Sequence, residues 1–92
     1  LDTGANSATD RNVVSTPGTE LTVVGTASYD DAETVARDLV ADGIVAIELC
    51  GGFGTAGVAR IARAVDGKAA VGAVRFDIHP GLGNKSGDTV FG

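Results

Sequence analysis

Residues 44–54 read IVAIELCGGFG, and this stretch decides the predicted fold. Its first seven residues are almost continuously apolar, which is typical of a parallel strand covered on both faces. The glycines that follow indicate a tight turn, and Thr55 is a suitable cap for a helix. The stretch therefore predicts a strand that ends at Cys50 and leads through the segment Gly51–Gly54 into a helix.

An amphipathic helix is predicted on each side of this strand. Upstream, apolar residues recur at the i, i+3, i+4, i+7 spacing over residues 32–40, after cap candidates that begin at Ser28. Gly43 stands where a helix-ending glycine belongs. Downstream, the same spacing runs over residues 58–65 and Gly67 closes it.

Two further strands complete the predicted pattern. Residues 20–25 (ELTVVG) and 69–77 (AAVGAVRFD) are rich in β-branched and small apolar residues. The order is then βαβαβ, and crossovers of this length imply parallel strands with right-handed connections. We expect one α/β domain over residues 1–92 with a three- or four-stranded, mostly parallel sheet, a polar segment at 1–19 and a Gly-rich tail at 80–92.

Such a sheet is incompletely covered by two helices. If the strands follow one another in order, both helices lie on one face and the other face is bare. The 14 glycines among the 92 residues also bury little apolar area each. We therefore expect the sheet to be completed by homo-oligomerisation, by an additional strand, or by both.

Composition excludes several classes of protein. The chain has 12 acidic against 7 basic residues and a net charge of −5, which argues against nucleic acid as a partner. Its apolar runs are too short for a membrane span. One cysteine cannot form an internal disulfide, and one histidine with one cysteine makes a poor metal-ligand set. We expect a cytoplasmic protein with no metal, no cofactor and no membrane association.

The glycine turn at the carboxyl end of the central strand is a candidate ligand site. Ligands of open α/β sheets bind at the carboxyl ends of the strands, and free amides at a helix N-terminus attract anions. The candidate binding residues here are Gly51, Gly52, Phe53, Gly54 and Thr55. The alternative is a tight strand-to-helix turn with no ligand.

The densest group of candidate catalytic residues follows the last strand. Arg75, Asp77 and His79 alternate along the chain and so share one side of it while the strand persists. His79 is the only histidine and could exchange protons near neutral pH, with Asp77 orienting it or acting itself. The alternative is that both side chains merely hydrogen-bond the turn before Pro80.

Three more residues have a site interpretation and a structural one. Cys50 is either a reactive thiol ahead of a helix or a buried small hydrophobe. Glu48 is either a site acid or the partner of Arg75 in an ion pair across the sheet, because a carboxylate in an apolar strand needs compensation. Tyr29 joins the same rim as a candidate ligand-binding residue, next to Asp30, which could instead cap the helix.

The motifs ELCGGFG at 48–54 and GAVRFD at 72–77, followed by HPGLG at 79–83, resemble those of a family of small bacterial proteins of unknown function. The similarity covers residues 9–92. It implies a small bacterial, cytosolic α/β protein and carries no activity.

Two classes of function remain open at this point. The first is a small enzyme of isomerase, lyase or cyclase type that transfers a proton on an anionic or carbonyl substrate. Its catalytic residues would be His79 and Asp77 with Cys50 or Glu48, and the glycine turn and Arg75 would hold the substrate. The second is a non-catalytic protein, either an oligomeric assembly or a module that binds a small anion.

Overall fold

The computed structural model describes residues 1–92. Four strands, three α-helices and one 3-10 turn follow one another along the chain. In order they are β1 (Arg11–Thr16), β2 (Thr19–Val24), α1 (Tyr29–Ala41), β3 (Ala46–Leu49), α2 (Thr55–Val65), β4 (Ala70–Ala73), the 3-10 turn Pro80–Leu82 and α3 (Gly87–Phe91). The α/β class predicted from the sequence is confirmed, but the arrangement of its strands is not.

The N-terminal part forms a β-hairpin instead of a loop followed by a strand of the parallel sheet. β1 and β2 pair antiparallel, from Arg11 opposite Val24 to Thr16 opposite Thr19. Pro17 and Gly18 make the two-residue connection, and both are favoured in turns because of their backbone preferences. The predicted three-stranded parallel sheet is therefore wrong, since the first predicted strand pairs with its own neighbour in sequence.

The parallel part of the prediction holds for two strands. β3 pairs with β4 in parallel register, with Ala46 opposite Ala70 and Leu49 opposite Ala73. These two strands form a separate two-stranded sheet. Both are only four residues long, and the chain turns away from the ladder earlier than the apolar pattern predicts.

The two long helices lie where periodicity predicts them. α1 begins after Ser28, whose side chain accepts a hydrogen bond from the Asp31 N–H. It ends before Gly43, which adopts a φ of 99° that side-chain-bearing residues avoid. α2 starts after Gly54 rather than after Thr55, and no side chain of its own caps it.

The C-terminal segment is structured rather than loop. Pro80–Leu82 form the 3-10 turn, and Gly87–Phe91 form α3, which is capped by Ser86. The ring of Phe91 packs 6.0 Å from that of Tyr29, centroid to centroid. This apolar contact and the capping hydrogen bond fold a segment whose glycine content alone favours a loop.

The core is small. Only 14 of the 92 residues are buried, which agrees with the low yield of apolar area expected from so many small residues. The main cluster brings together α1, α2, β3 and the glycine turn, and consists of Tyr29, Ala32, Ala36, Leu49, Phe53, Ile61 and Val65. No helix combines the length and the apolar character needed to span a bilayer.

Candidate functional site

The carboxyl ends of β3 and β4 bring the glycine turn, Gly51–Gly54, close to the segment that carries Phe76 and His79. Gly51–Gly54 are buried between β3 and α2. A β-carbon built on Gly51 would overlap the ring of Phe76 and would lie 3.3 Å from Cδ2 of His79. The bare glycine therefore lets the Phe76 and His79 rings sit directly on the turn.

Side-chain and backbone contacts hold His79 in place. Its Nδ1 accepts a hydrogen bond from the Gly81 N–H at 2.9 Å. Its ring packs against Phe76 with 4.8 Å between centroids, and its backbone N–H donates to the carbonyl of Lys85. Because Nδ1 acts as an acceptor, a neutral ring carries its proton on Nε2. No protein group hydrogen-bonds that Nε2, so it is free to meet a ligand.

The N-terminus of α2, where the sequence predicts an anion, receives a carboxylate of the chain itself. Asp88 accepts hydrogen bonds from the Ala56 N–H at 2.9 Å and from the Gly57 N–H at 3.1 Å. It also accepts one from the Tyr29 hydroxyl, which in turn accepts the Gly54 N–H. The helix dipole and free amides thus act on Asp88, a residue that sequence reasoning missed.

Burial and these hydrogen bonds together shift the pKa values of Tyr29 and Asp88 in opposite directions. Burial raises the pKa of the Tyr29 hydroxyl, and the neighbouring Asp88 carboxylate adds to that effect against the Gly54 N–H. Burial also acts to raise the pKa of Asp88, but the hydrogen bonds from Ala56, Gly57 and Tyr29 outweigh it. The pKa of Asp88 therefore lies below its usual range, and the carboxylate is charged at neutral pH.

Tyr29 is a core residue and not part of an open rim. Its side chain is buried and stacks on Phe53, with 5.5 Å between ring centroids. Its neighbour Asp30 forms an ion pair with Arg60, which also bonds Glu33 at 2.6 Å. The hydroxyl of Tyr29 therefore acts inside the protein, as the link between Gly54 and Asp88.

The side chain of Arg75 contacts the first residue of α2 and does not reach Glu48. Its Nε donates to the Thr55 hydroxyl at 3.1 Å, and its Nη2 lies 3.4 Å from a carboxylate oxygen of Asp77. The predicted ion pair with Glu48 is not formed, because the strand register puts Gly72 opposite Glu48. Glu48 is exposed and needs no buried partner.

Cys50 is exposed, so its interpretation as a buried hydrophobe is wrong. Its Sγ accepts a hydrogen bond from the Gly52 N–H at 3.4 Å and lies 3.5 Å from the amino nitrogen of Leu1. None of its hydrogen bonds involves His79 or Asp77. No three His, Cys, Asp or Glu side chains are grouped so that they could hold a metal ion.

The segment after β4 thus carries a fixed histidine whose Nε2 has no hydrogen-bond partner in the protein, and, two and four residues before it, an exposed carboxylate and an exposed cation that contact each other. One family model matches residues 1–89. The chain belongs to the family of unknown function DUF6506. The resemblance to an uncharacterised family predicted from the motifs is thus confirmed. No curated protein and no solved structure matches the sequence.

Proposed function

We propose that this protein is a small enzyme that moves a proton next to a carbonyl group, at the carboxyl ends of β3 and β4. One observation carries the proposal, namely the hydrogen bond from the Gly81 N–H to Nδ1 of His79. In the neutral ring this bond fixes the proton on Nε2, because Nδ1 is the acceptor. A ring held in this form is suited to donate to a substrate oxygen.

Two neighbouring groups supply the rest of the chemistry. The carboxylate of Asp77, whose side chain is 96% exposed, can take the proton from the substrate carbon. The guanidinium of Arg75 lies beside it and can neutralise an anionic substrate group. In this scheme the carbon loses a proton to Asp77, the enolate oxygen that forms is held by the hydrogen bond from Nε2 of His79, and the carbon then takes a proton back from Asp77.

In this proposal the glycine turn does not bind the substrate anion, which is the role expected for it from the sequence. Because Asp88 occupies the amides at the start of α2, a substrate anion is better placed at Arg75 than at that helix N-terminus. Gly51 supports the site by leaving room for the Phe76 and His79 rings. Cys50 and Glu48 have no step in this mechanism.

Exchange of deuterium from solvent tests the proposal with a panel of compounds instead of a single substrate. We expect the protein, incubated in deuterated water with small keto acids and aldehydes, to replace a hydrogen next to the carbonyl of at least one of them. His79→Gln should slow this exchange by about 100-fold. Arg37→Gln, an exposed change on α1, is the matched control and should leave the rate unchanged.

The ring form can be checked independently by nitrogen NMR of labelled histidine. We expect Nε2 to be protonated and Nδ1 to be an acceptor at slightly alkaline pH. A ring protonated on Nδ1 would contradict the proposed role of His79, as would a panel in which no compound exchanges.

A self-associating, non-catalytic protein is the second candidate. It is favoured by the hairpin, where Val13, Val14, Leu21 and Val23 are each about half exposed. Light scattering at micromolar concentration tests it, with Leu21→Ser as the variant that should break the assembly. A stable monomer of 9.1 kDa would exclude it.

A further inference from the structure

A long apolar groove separates the hairpin from the parallel strand pair. It has a volume of about 780 Å³, and most of the residues that line it are hydrophobic. Its floor is the inner face of α1, with Val35 and Leu39 among the residues that line it. Its two long walls are the segment 19–26, which contains β2, and the segment 43–50, which contains β3.

Both walls are free strand edges. β2 pairs only with β1, and β3 pairs only with β4, so each strand has one unpaired edge. Consecutive residues of each strand line the groove, whereas a strand that presented a face would contribute only alternate residues. The groove is therefore bounded by two rows of backbone donors and acceptors that lack strand partners.

The direction of the β2 backbone groups supports this geometry. The Gly25 N–H donates to the carbonyl of Asp10, which places Gly25 in a hydrogen-bonded pair of the hairpin. Hydrogen-bonded and non-bonded pairs alternate along an antiparallel ladder. Thr22 therefore belongs to a non-bonded pair, and its N–H and carbonyl point away from β1, toward the groove.

The β3 backbone has the corresponding direction on the opposite wall. The carbonyls of Val45 and Leu49 accept hydrogen bonds from the N–H groups of Ala70 and Val74, on the β4 side. Successive backbone groups of a strand point to opposite edges. Glu48 therefore directs its N–H and carbonyl away from β4, toward the groove.

The position of Leu1 indicates what fits between the two edges. Leu1 lines the groove and packs against the core, and its amino nitrogen lies 3.5 Å from Sγ of Cys50, just after β3. The next residue, Asp2, donates its N–H to the carbonyl of Thr26, just after β2. The chain thus leaves the groove at the carboxyl ends of both walls.

We infer that the groove takes an extended apolar segment, joined directly ahead of Leu1 in the same polypeptide, as a strand between β2 and β3. A segment that ends at Leu1 runs parallel to both walls and needs no crossover connection. Six residues cover the length of β2, about 20 Å in an extended strand. The strand order becomes β1-β2-new strand-β3-β4, which joins the two small sheets into one.

The chemistry of the lining defines the segment further. Side chains that alternate along the strand face α1 on one side, so they should be apolar at every second position. Glu20 and Glu48 are the only acidic residues in the lining. Acidic residues in the segment would repel them, whereas a lysine or arginine on the outer face would be favoured.

A fusion series tests this inference. Eight residues of alternating valine and threonine are added ahead of Leu1 and compared with eight residues of glycine and serine at the same place. The first fusion should raise Tm by about 10 °C or more, since a central strand adds pairing on both edges and apolar burial. It should also slow amide hydrogen exchange at Thr22 and Glu48 by about 100-fold or more. The glycine–serine fusion should change neither quantity.

A change in the groove edge separates pairing from a general effect of added residues. Thr22→Pro removes an N–H that points to the groove and keeps the hydrogen bonds of the hairpin. It should abolish most of the Tm gain of the valine–threonine fusion. Equal Tm and exchange in both fusions would overturn the inference. So would a dimer of the 92-residue chain in which Thr22 and Glu48 are already protected, because a second copy would then fill the groove.

Discussion

The two long helices both follow a strand and a turn, yet their N-termini are capped in different ways. At α1, the hydroxyl of Ser28 accepts the Asp31 N–H at 3.1 Å, and the Asp31 carboxylate accepts the Ala27 N–H at 2.9 Å. At α2, Gly54 has no side chain to offer, and the cap is Asp88, 32 residues beyond Ala56. The first cap is local, whereas the second depends on the folded chain.

The cap that Asp88 provides, called the remote cap below, joins α1, the start of α2 and α3 into one unit. Glycines stand where the segments meet, because a β-carbon on Gly54 would overlap Asp88 and one on Gly87 would overlap the carbonyl of Gly52. The segment that carries His79 lies between β4 and α3 and is therefore anchored at both ends. A local cap stabilises one helix, whereas this cap also holds the candidate site over the glycine turn.

The largest effect is expected where backbones meet. Gly87→Ala should lower the free energy of unfolding by about 3 kcal/mol, since the new methyl group meets the backbone of the turn and not a flexible side chain. Urea unfolding followed by circular dichroism measures the loss.

Gly72→Ala is the matched control for this change. Nothing lies within 4 Å of a β-carbon at Gly72, so that variant should be neutral or more stable by roughly 0.5 kcal/mol. Equal stability of the two variants would show that α3 does not rest on the glycine turn.

Removal of the remote cap comes next. Asp88→Ala leaves the Ala56 and Gly57 amides and the buried Tyr29 hydroxyl without their acceptor. We expect a loss of about 2 kcal/mol, together with faster amide exchange at the start of α2 and throughout α3. Asp38→Ala, at an exposed acid of α1, should change the stability by less than about 0.5 kcal/mol. Unchanged exchange in α3 would mean that the cap does not couple the two helices.

The same contrast explains which parts of the fold could be predicted from the sequence. α1 and α2 have a hydrophobic period, and Ser28 and Gly43 act within a few residues, so their effect is visible locally. The hairpin was missed because the β-branched content of residues 20–25 does not identify the partner strand. The signal was present, since residues 13–16 and 19–24 flank a Pro-Gly turn.

The candidate site, like the fold, could be predicted from the sequence only in part. The rule that strand ends meet at one edge correctly indicates that His79 lies near Gly51. The prediction of a Glu48–Arg75 ion pair is wrong because the pair depends on strand register, which the sequence does not specify. Asp88 could not be found by spacing, and its only hint is that α2 has no capping side chain of its own.

The local cap should have a smaller and more confined effect. Ser28→Ala removes one acceptor at the start of α1 and should cost about 1 kcal/mol. Amide exchange should rise in the first turn of α1 and stay unchanged in α3. Ser15→Ala, on an exposed position of β1, serves as the control and should be neutral. A rise in α3 exchange for Ser28→Ala would erase the distinction between the two caps.

The smallest effect is the pH dependence of the remote cap. The pKa of Asp88 is lower in the folded protein than its ordinary value of 3.8, so its contribution to stability is complete above that pH. Once the pH has fallen below the lower folded pKa, the carboxyl group is protonated in the folded and the unfolded state alike, and the contribution is lost. The stability difference between the wild type and Asp88→Asn should therefore be constant from about pH 7 to pH 5 and shrink below about pH 4. The change is modest because the carboxylate is only partly buried and solvent screens it.

Ser28→Ala removes no titratable group, so its stability curve should run parallel to that of the wild type over the whole range. If the Asp88→Asn curve also ran parallel, the charge on Asp88 would not contribute to the cap, and the two helix N-termini would differ only in the distance along the chain from which their caps come.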